Sequence, residues 1–96
     1  MTALYTQVET SHSAITVAST STPVLSANSA RRLLILQNVS NETLWVNVAS
    51  GTAAANTGIM LGANGGNVFF DVSVPTGAVT AIATSTAKIL TVTQGI

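Results

Sequence analysis

Apolar residues recur at every second position in several short stretches of this chain, and this alternation limits the possible folds more than any other feature. The segments 44–48 and 68–72 show it most clearly, each with large apolar residues at alternate positions. A period of two places successive side chains on opposite faces of a β-strand. Clusters of Gly, Asn, Ser, Thr and Pro separate the stretches, and helical periodicity is nearly absent. The pattern predicts an all-β protein.

We predict about seven or eight short strands. They cover residues 3–8, 14–18, 32–38, 44–48, 68–72, 78–83 and 88–93, with a shorter strand at 58–61. Strands with one apolar face bury that face by packing as two layers, so the expected fold is an antiparallel β-sandwich or jelly roll. Residues 1–96 form one domain. Its segment 1–30, rich in Ser and Thr and interrupted by Pro23, supplies either edge strands or an extended arm that pairs with a neighbour.

Two further predictions concern the strands at 32–38 and 44–48. The segment between them is short and turn-prone, which predicts that the two strands form an antiparallel hairpin. Residues 33–36 are all large and aliphatic, so this part of the first strand is apolar on both faces. Such a strand is typically central in its sheet and covered from both sides. A partner subunit could supply one of the two covers.

Charged residues make up only 6% of the chain, against about 25% in an ordinary soluble domain. The formal net charge is zero, so two copies can approach each other without long-range repulsion. Three basic residues balanced by three acidic ones cannot form the electropositive groove that nucleic-acid binding requires. The sequence has no apolar run of membrane-spanning length, and its N-terminus does not resemble a secretory signal. We therefore expect protein partners, with no nucleic acid and no membrane.

Residues that could support catalysis are few and scattered. Glu9, Glu42 and Asp71 are the only carboxylates, and they fall in separate predicted elements, so no acid–base pair is indicated. His12 is the only histidine, and a solvated loop histidine is a more ordinary interpretation than a triad with Asp71 and one of the many serines. The chain has no cysteine, and no spacing of His, Asp or Glu suits a metal ion. We predict no enzyme activity, no metal and no cofactor.

Several other side chains favour contacts with proteins. The only basic pair, Arg31-Arg32, either bridges to a carboxylate of a partner or is solvated at the start of a strand. Trp45 is a lone aromatic residue in its strand, and the tandem Phe69-Phe70 must place one ring on each face. The segment 3–8 can add a strand to the exposed sheet edge of a neighbour. The candidate interface residues are Leu4, Tyr5, Val8, Arg31, Arg32, Trp45 and Phe69.

A pattern of strands and turns covers roughly the last two-thirds of the chain. It consists of Asn28-Ser29-Ala30-Arg31-Arg32-Leu33-Leu34-Ile35-Leu36-Gln37-Asn38-Val39-Ser40, Leu44-Trp45-Val46-Asn47, Gly58-Ile59-Met60-Leu61, Gly65-Gly66 and the terminal Leu90-Thr91-Val92-Thr93-Gln94-Gly95. This pattern resembles small virion proteins of tailed bacteriophages, which are capsid decoration (cement) proteins and related head or tail accessory proteins. The resemblance implies a sandwich or jelly-roll module docked on the outside of a capsid lattice, often as a trimer. It carries over no catalytic or metal-binding residue.

The resemblance further implies that the partners are the major capsid protein or other virion proteins, and that the protein resides in the virion. An alternative function is a head-fibre or tail adaptor that binds a receptor or glycan. That alternative needs a concave site with aromatic and polar side chains, for which Trp45 and Tyr5 are the obvious large donors.

Overall fold

The structure, a computed structural model, describes residues 9–96. These residues form eight strands and no helix, so the described chain has no helix that could cross a membrane. The strands are β1 (Thr10–Val17), β2 (Thr22–Leu25), β3 (Leu33–Asn38), β4 (Leu44–Asn47), β5 (Ile59–Leu61), β6 (Asn67–Phe70), β7 (Val79–Ala83) and β8 (Lys88–Gly95).

The strands form two four-stranded sheets. Sheet A has the order β1-β8-β3-β6, and sheet B has the order β2-β7-β4-β5. Every pair of neighbouring strands is antiparallel. The two sheets pack face to face, which confirms the predicted all-β antiparallel sandwich.

The core between the sheets is made of small and branched aliphatic side chains. Alternate residues of the central strands point into it, and burial of each such Leu or Val side chain contributes about 1.5–3 kcal/mol. Within residues 9–96 no aromatic side chain is fully buried, although Phe70 packs against the cluster. The fully buried large aliphatic side chains are Leu34, Leu36, Leu44, Leu61, Leu90, Val17, Val46, Val79 and Val92. Leu44 and Val46 face inward and Trp45 faces outward, as the alternation of this segment predicts.

The region before β3 differs from the predicted strands. β1 begins at Thr10, four residues before the predicted strand at 14–18, and is an edge strand of sheet A. β2 has no counterpart among the predicted strand bounds, but it agrees with the alternative in which this segment supplies edge strands. It contains Pro23 and is an edge strand of sheet B, where a residue without an N–H is tolerated. Between residues 10 and 25 the structure therefore has edge strands and no extended arm. The predicted strand at 3–8 lies outside the described residues.

The predicted hairpin of β3 with β4 is wrong, because these strands belong to opposite sheets. The chain crosses from one sheet to the other around the buried side chain of Asn38, which is 0% exposed. Its Nδ2 lies within hydrogen-bonding distance of the carbonyl oxygens of Glu42 (2.6 Å), Leu61 (2.9 Å) and Gly62 (3.1 Å). Its Oδ1 accepts hydrogen bonds from the backbone N–H (2.9 Å) and the hydroxyl (2.6 Å) of Ser40. The turn-prone residues thus form an arch around an amide instead of a reversal within one sheet.

β3 is a central strand, as predicted, and lies between β8 and β6. Leu34 and Leu36 are completely buried on its inner face. Leu33 and Ile35 are half-buried on its outer face. The outer side of β3 is therefore covered only in part within the described chain.

Candidate interaction surfaces

The residues considered for catalysis lie apart. His12 lies on β1 and Asp71 directly follows β6, and these strands are the opposite edges of sheet A. Three inter-strand spacings, about 14 Å in total, separate the two edges. The imidazole Nδ1 of His12 instead lies 2.8 Å from the hydroxyl of Thr93 on β8. Within residues 9–96, no three His, Asp or Glu side chains come together in a way that could hold a metal ion.

Glu42 binds hydroxyl groups at the surface. Its carboxylate accepts hydrogen bonds from the hydroxyls of Thr84 (2.7 Å) and Ser85 (2.8 Å), and it lies 3.4 Å from the ammonium of Lys88. These hydroxyls, followed by the charge of Lys88, lower the pKa of Glu42 below its ordinary value. The cluster joins the β3–β4 connection to the β7–β8 connection. It stabilises two crossings between the sheets.

Arg31 is buried, at 3% exposed, and its guanidinium bonds to groups of its own chain. Its Nε donates to Oε1 of Gln94 (2.9 Å), its Nη1 to the carbonyls of Pro75 (2.8 Å) and Gly77 (3.0 Å), and its Nη2 to the carbonyl of Ser26 (2.8 Å). All four acceptors are neutral, and burial lowers the pKa of Arg31. The sequence predicted that this side chain either bridges to a carboxylate of a partner or is solvated. Both predictions are wrong for Arg31, because its guanidinium is buried against neutral acceptors. Arg31 joins β8 to the segments that flank β2 and β7.

Arg32 has a different environment from its neighbour. Its side chain is exposed at the start of β3, while its backbone N–H donates to the carbonyl of Gly95 (2.7 Å). A cleft of about 390 Å³ lies beside it, lined by Arg31, Arg32, Leu33, Asp71 and Val74. The cleft is open and combines two cationic side chains with one carboxylate.

The outer face of sheet B carries a row of apolar side chains. Trp45 on β4 pairs with Ile82 on β7 and with Met60 on β5, so the three side chains lie side by side across three strands. Trp45 and Ile82 are half-buried, and Met60 is 58% exposed. We call these three residues the Trp45 row. It lies outside the core and faces solvent in the single chain.

The outer face of sheet A carries a smaller apolar patch. Phe69 on β6 pairs with Ile35 on β3 and is 55% exposed, whereas Phe70 packs against the core. The rings of this pair therefore lie on opposite faces, as predicted. Beyond Ile35 the row becomes polar, with Thr93 and His12 as the next residues across the sheet.

The predicted interface residues do not form one surface. Trp45 and Phe69 lie on the outer faces of different sheets, while Arg31 and Arg32 lie at the cleft. The remaining predicted residues, Leu4, Tyr5 and Val8, lie outside the described part of the chain. Sequence reasoning missed Met60 and Ile82. Each is a large apolar residue that alternates with inward-facing ones in its strand, which is the signal that could have found them.

No protein-family model matches the chain, and no curated protein sequence matches it. A solved structure from Bacillus endospore appendages, described as a family of disulfide-linked pili, is similar to it with a TM-score of 0.46 and 15% identity. The similarity covers 99% of this chain and 95% of that chain. The present chain contains no cysteine.

Proposed function

We propose that this protein is a structural component of a tailed-bacteriophage particle and binds the outside of the capsid lattice as a decoration protein. The resemblance of its strand-and-turn pattern to such proteins suggests the particle. The main support for a binding role is the Trp45 row. It is an apolar strip on the outer face of a sandwich whose core is formed by other residues.

The composition of the Trp45 row suits a protein contact. Trp and Met are enriched at protein–protein interfaces, and a few large anchors commonly supply most of the binding free energy. The row is flat, because its three side chains stand on neighbouring strands of one sheet. It therefore fits the surface of another folded protein better than a small ligand.

Charge contributes little to this mode of binding. Among the described residues, Glu42 and Lys88 neighbour each other and Arg31 is buried, so few charged groups are free to attract a partner. Affinity for the lattice should then depend on apolar area and shape, and change little with salt concentration. Several copies acting together would slow release from the lattice.

The second candidate is a head-fibre or tail adaptor that binds a receptor or glycan. Its expected aromatic donor, Trp45, lies on a flat face between Met60 and Ile82 and does not line the described cleft. A glycan site is usually concave and combines aromatic with polar groups. We therefore place this candidate second.

The number of copies per particle separates the two candidates. Quantitative mass spectrometry of purified virions from the phage that encodes the chain should find the protein at a copy number comparable to that of the major capsid protein. A few copies per virion would favour the adaptor. Absence from the virion would contradict both.

The Trp45 row can be tested on undecorated capsids. We expect Trp45→Ala and Met60→Ser to weaken binding by about 2 kcal/mol, or roughly 30-fold in Kd, for a contact at the centre of the interface. Phe69→Ala removes a side chain from the outer face of the other sheet that is 55% exposed, close to the 58% of Met60, and is the matched control. Equal losses of affinity for all three variants would contradict the assignment of the capsid contact to the outer face of sheet B. Unchanged binding of Trp45→Ala would show that the Trp45 row is not part of the interface.

A further inference from the structure

The sandwich formed by residues 9–96 has four edge strands, which differ in how easily another chain can pair with them. An edge strand presents unpaired N–H and C=O groups, and proteins normally protect it by shortness, Pro, a bulge or a charge. Three of the four edges have such protection. β2 has Pro23 and a register shift, β5 is three residues long, and β6 is four residues long with Asp71 directly after it.

β1 has none of these protections along its own length, and the charge nearest to it is Glu9, directly before its first residue. It is eight residues long, and it pairs with β8 in one unbroken register from Thr10–Gly95 to Val17–Lys88. Its sequence, Thr-Ser-His-Ser-Ala-Ile-Thr-Val, has no Pro, no Asp or Glu, and no Lys or Arg. Most of its side chains are exposed. It is the longest edge strand of the described chain and the one best suited to receive another strand.

The register also identifies which groups of β1 point outward. Glu9 and Ile96 exchange both backbone hydrogen bonds, each at 3.0 Å. In an antiparallel ladder such pairs alternate with pairs whose backbone groups point away. Odd-numbered residues of β1 therefore bond to β8, while Thr10, His12, Ala14 and Thr16 direct their N–H and C=O groups outward. Within residues 9–96, no other strand pairs with this edge.

We propose that β1 pairs with β1 of a second copy of the protein, antiparallel and about a two-fold axis, so that two A sheets become one continuous sheet. In the register that uses every outward group, Thr10 pairs with Thr16 of the other copy and His12 with Ala14. Ser13 then faces Ser13 of the other copy at the axis. This arrangement forms about eight main-chain hydrogen bonds.

A second copy suits this edge for two reasons. A symmetric pairing places like residues near each other, so a strand with a full charge would meet its own charge, and β1 has no carboxylate, Lys or Arg. The partner must also offer an equally long unpaired strand, which the same β1 does. Two-fold contacts of one surface with itself are the commonest way in which soluble proteins form oligomers. The inference concerns self-association and stands whether or not the protein binds a capsid.

Single cysteines test the register directly, because the chain has no cysteine of its own. Residues that face each other in a non-hydrogen-bonded antiparallel pair have Cα atoms about 4.5 Å apart, within the range that a disulfide spans. We expect Ser13→Cys to form a disulfide-linked dimer under mild oxidation. Ser11→Cys, on the same face of β1, would stand opposite residue 15 of the other copy and is the matched control. Faster cross-linking of Ser11→Cys than of Ser13→Cys, or no cross-linking of either, would overturn the proposal.

A second variant tests the pairing at the outer edge of β1 without introducing a cysteine. Ala14→Pro removes one outward N–H and places the proline ring on the outer edge, but leaves the β1–β8 hydrogen bonds intact. Ala14→Ser keeps the N–H and is the control. By sedimentation equilibrium the wild-type chain and Ala14→Ser should have the mass of a dimer, and Ala14→Pro that of a folded monomer, with its fold checked by circular dichroism. A wild-type monomer or trimer, or a dimer that persists in Ala14→Pro, would contradict the pairing.

Discussion

The Nδ2 of Asn38 lies 2.9 Å from the carbonyl oxygen of Leu61, and this hydrogen bond joins the end of β3 in sheet A to the end of β5 in sheet B. The same amide also reaches Glu42 and Gly62, so a single buried side chain binds the arch between the sheets and the segment that follows β5. A buried amide without partners is costly, and here every polar atom of the side chain is bonded.

Replacement of Asn38 should therefore destabilise the fold strongly. We expect Asn38→Ala to lower the free energy of unfolding by about 3 kcal/mol, because it leaves buried carbonyl oxygens without donors. Urea denaturation followed by circular dichroism measures the change. Asn67→Ala, at an exposed position of β6, is the control and should cost about 0.5 kcal/mol or less. Similar losses for the two variants would contradict the role assigned to the arch.

Arg31 should be more important for stability than for binding. Arg31→Ala removes four hydrogen bonds from a buried guanidinium, and we expect a loss of about 3 kcal/mol in unfolding free energy. Arg31→Lys should recover little, since an ammonium cannot match the planar fork of donors. Arg32→Ala, next to it but exposed, should change stability by less than about 0.5 kcal/mol. An Arg32→Ala variant that is as unstable as Arg31→Ala would show that the two arginines share one role.

Deletion of residues 1–8 should leave the core folded. The deletion leaves the eight strands of residues 9–96 and the cluster that they bury unchanged in sequence, so the truncated chain keeps these contacts. Its thermal melting should stay cooperative, with a Tm within a few degrees of that of the full chain. If segment 3–8 adds a strand to a neighbour, the truncation loosens the oligomer or its binding to capsids. A truncated chain that does not fold would assign this segment to the sandwich itself, and unchanged capsid binding would remove it from the interface.

Acidification should destabilise the protein partly through Glu42. The hydroxyls of Thr84 and Ser85 and the charge of Lys88 lower the pKa of Glu42 in the folded state. The ionised carboxylate therefore stabilises the fold above the unfolded-state pKa, and this contribution is lost as the pH falls through the lowered pKa. Melting curves at decreasing pH should show a smaller dependence in Glu42→Gln. In Ser85→Ala, the pKa of Glu42 measured by NMR should rise towards its ordinary value, and an unchanged pKa would contradict the assigned cause.

The period of two predicted the inner faces of the strands correctly because burial between two sheets imposes that period on the sequence. Leu44 and Val46 are examples, and so is the division of Phe69 and Phe70 between two faces. Strand pairing was harder to predict. Turn-prone residues such as Ser40 and Asn41 occur both where a chain reverses within a sheet and where it crosses between sheets. The difference here depends on the buried amide of Asn38, and its burial follows from the tertiary structure.

The interaction surfaces could be predicted only in part. Trp45 stands out as a lone aromatic residue in its strand, but its neighbours Met60 and Ile82 are distant in sequence and adjacent only through the order of sheet B. The opposite environments of Arg31 and Arg32 were also not predictable. Both precede the same strand, and only the carbonyl groups around Arg31, from Ser26, Pro75 and Gly77, distinguish them.

The pairing of β1 and β3 with β8 has a consequence for the order of folding. β8 lies between these two strands in sheet A, and it is the last strand of the described chain to leave the ribosome. Strand pairs that are distant in sequence form slowly, because a long loop must close before any contact is gained. Until residues 88–95 are synthesised, β1 has no strand of sheet A to pair with. β3, which contains the aliphatic run, has only one of its two neighbouring strands, β6. The β3–β6 pair can form earlier, but sheet A can be completed only after β8 has been translated.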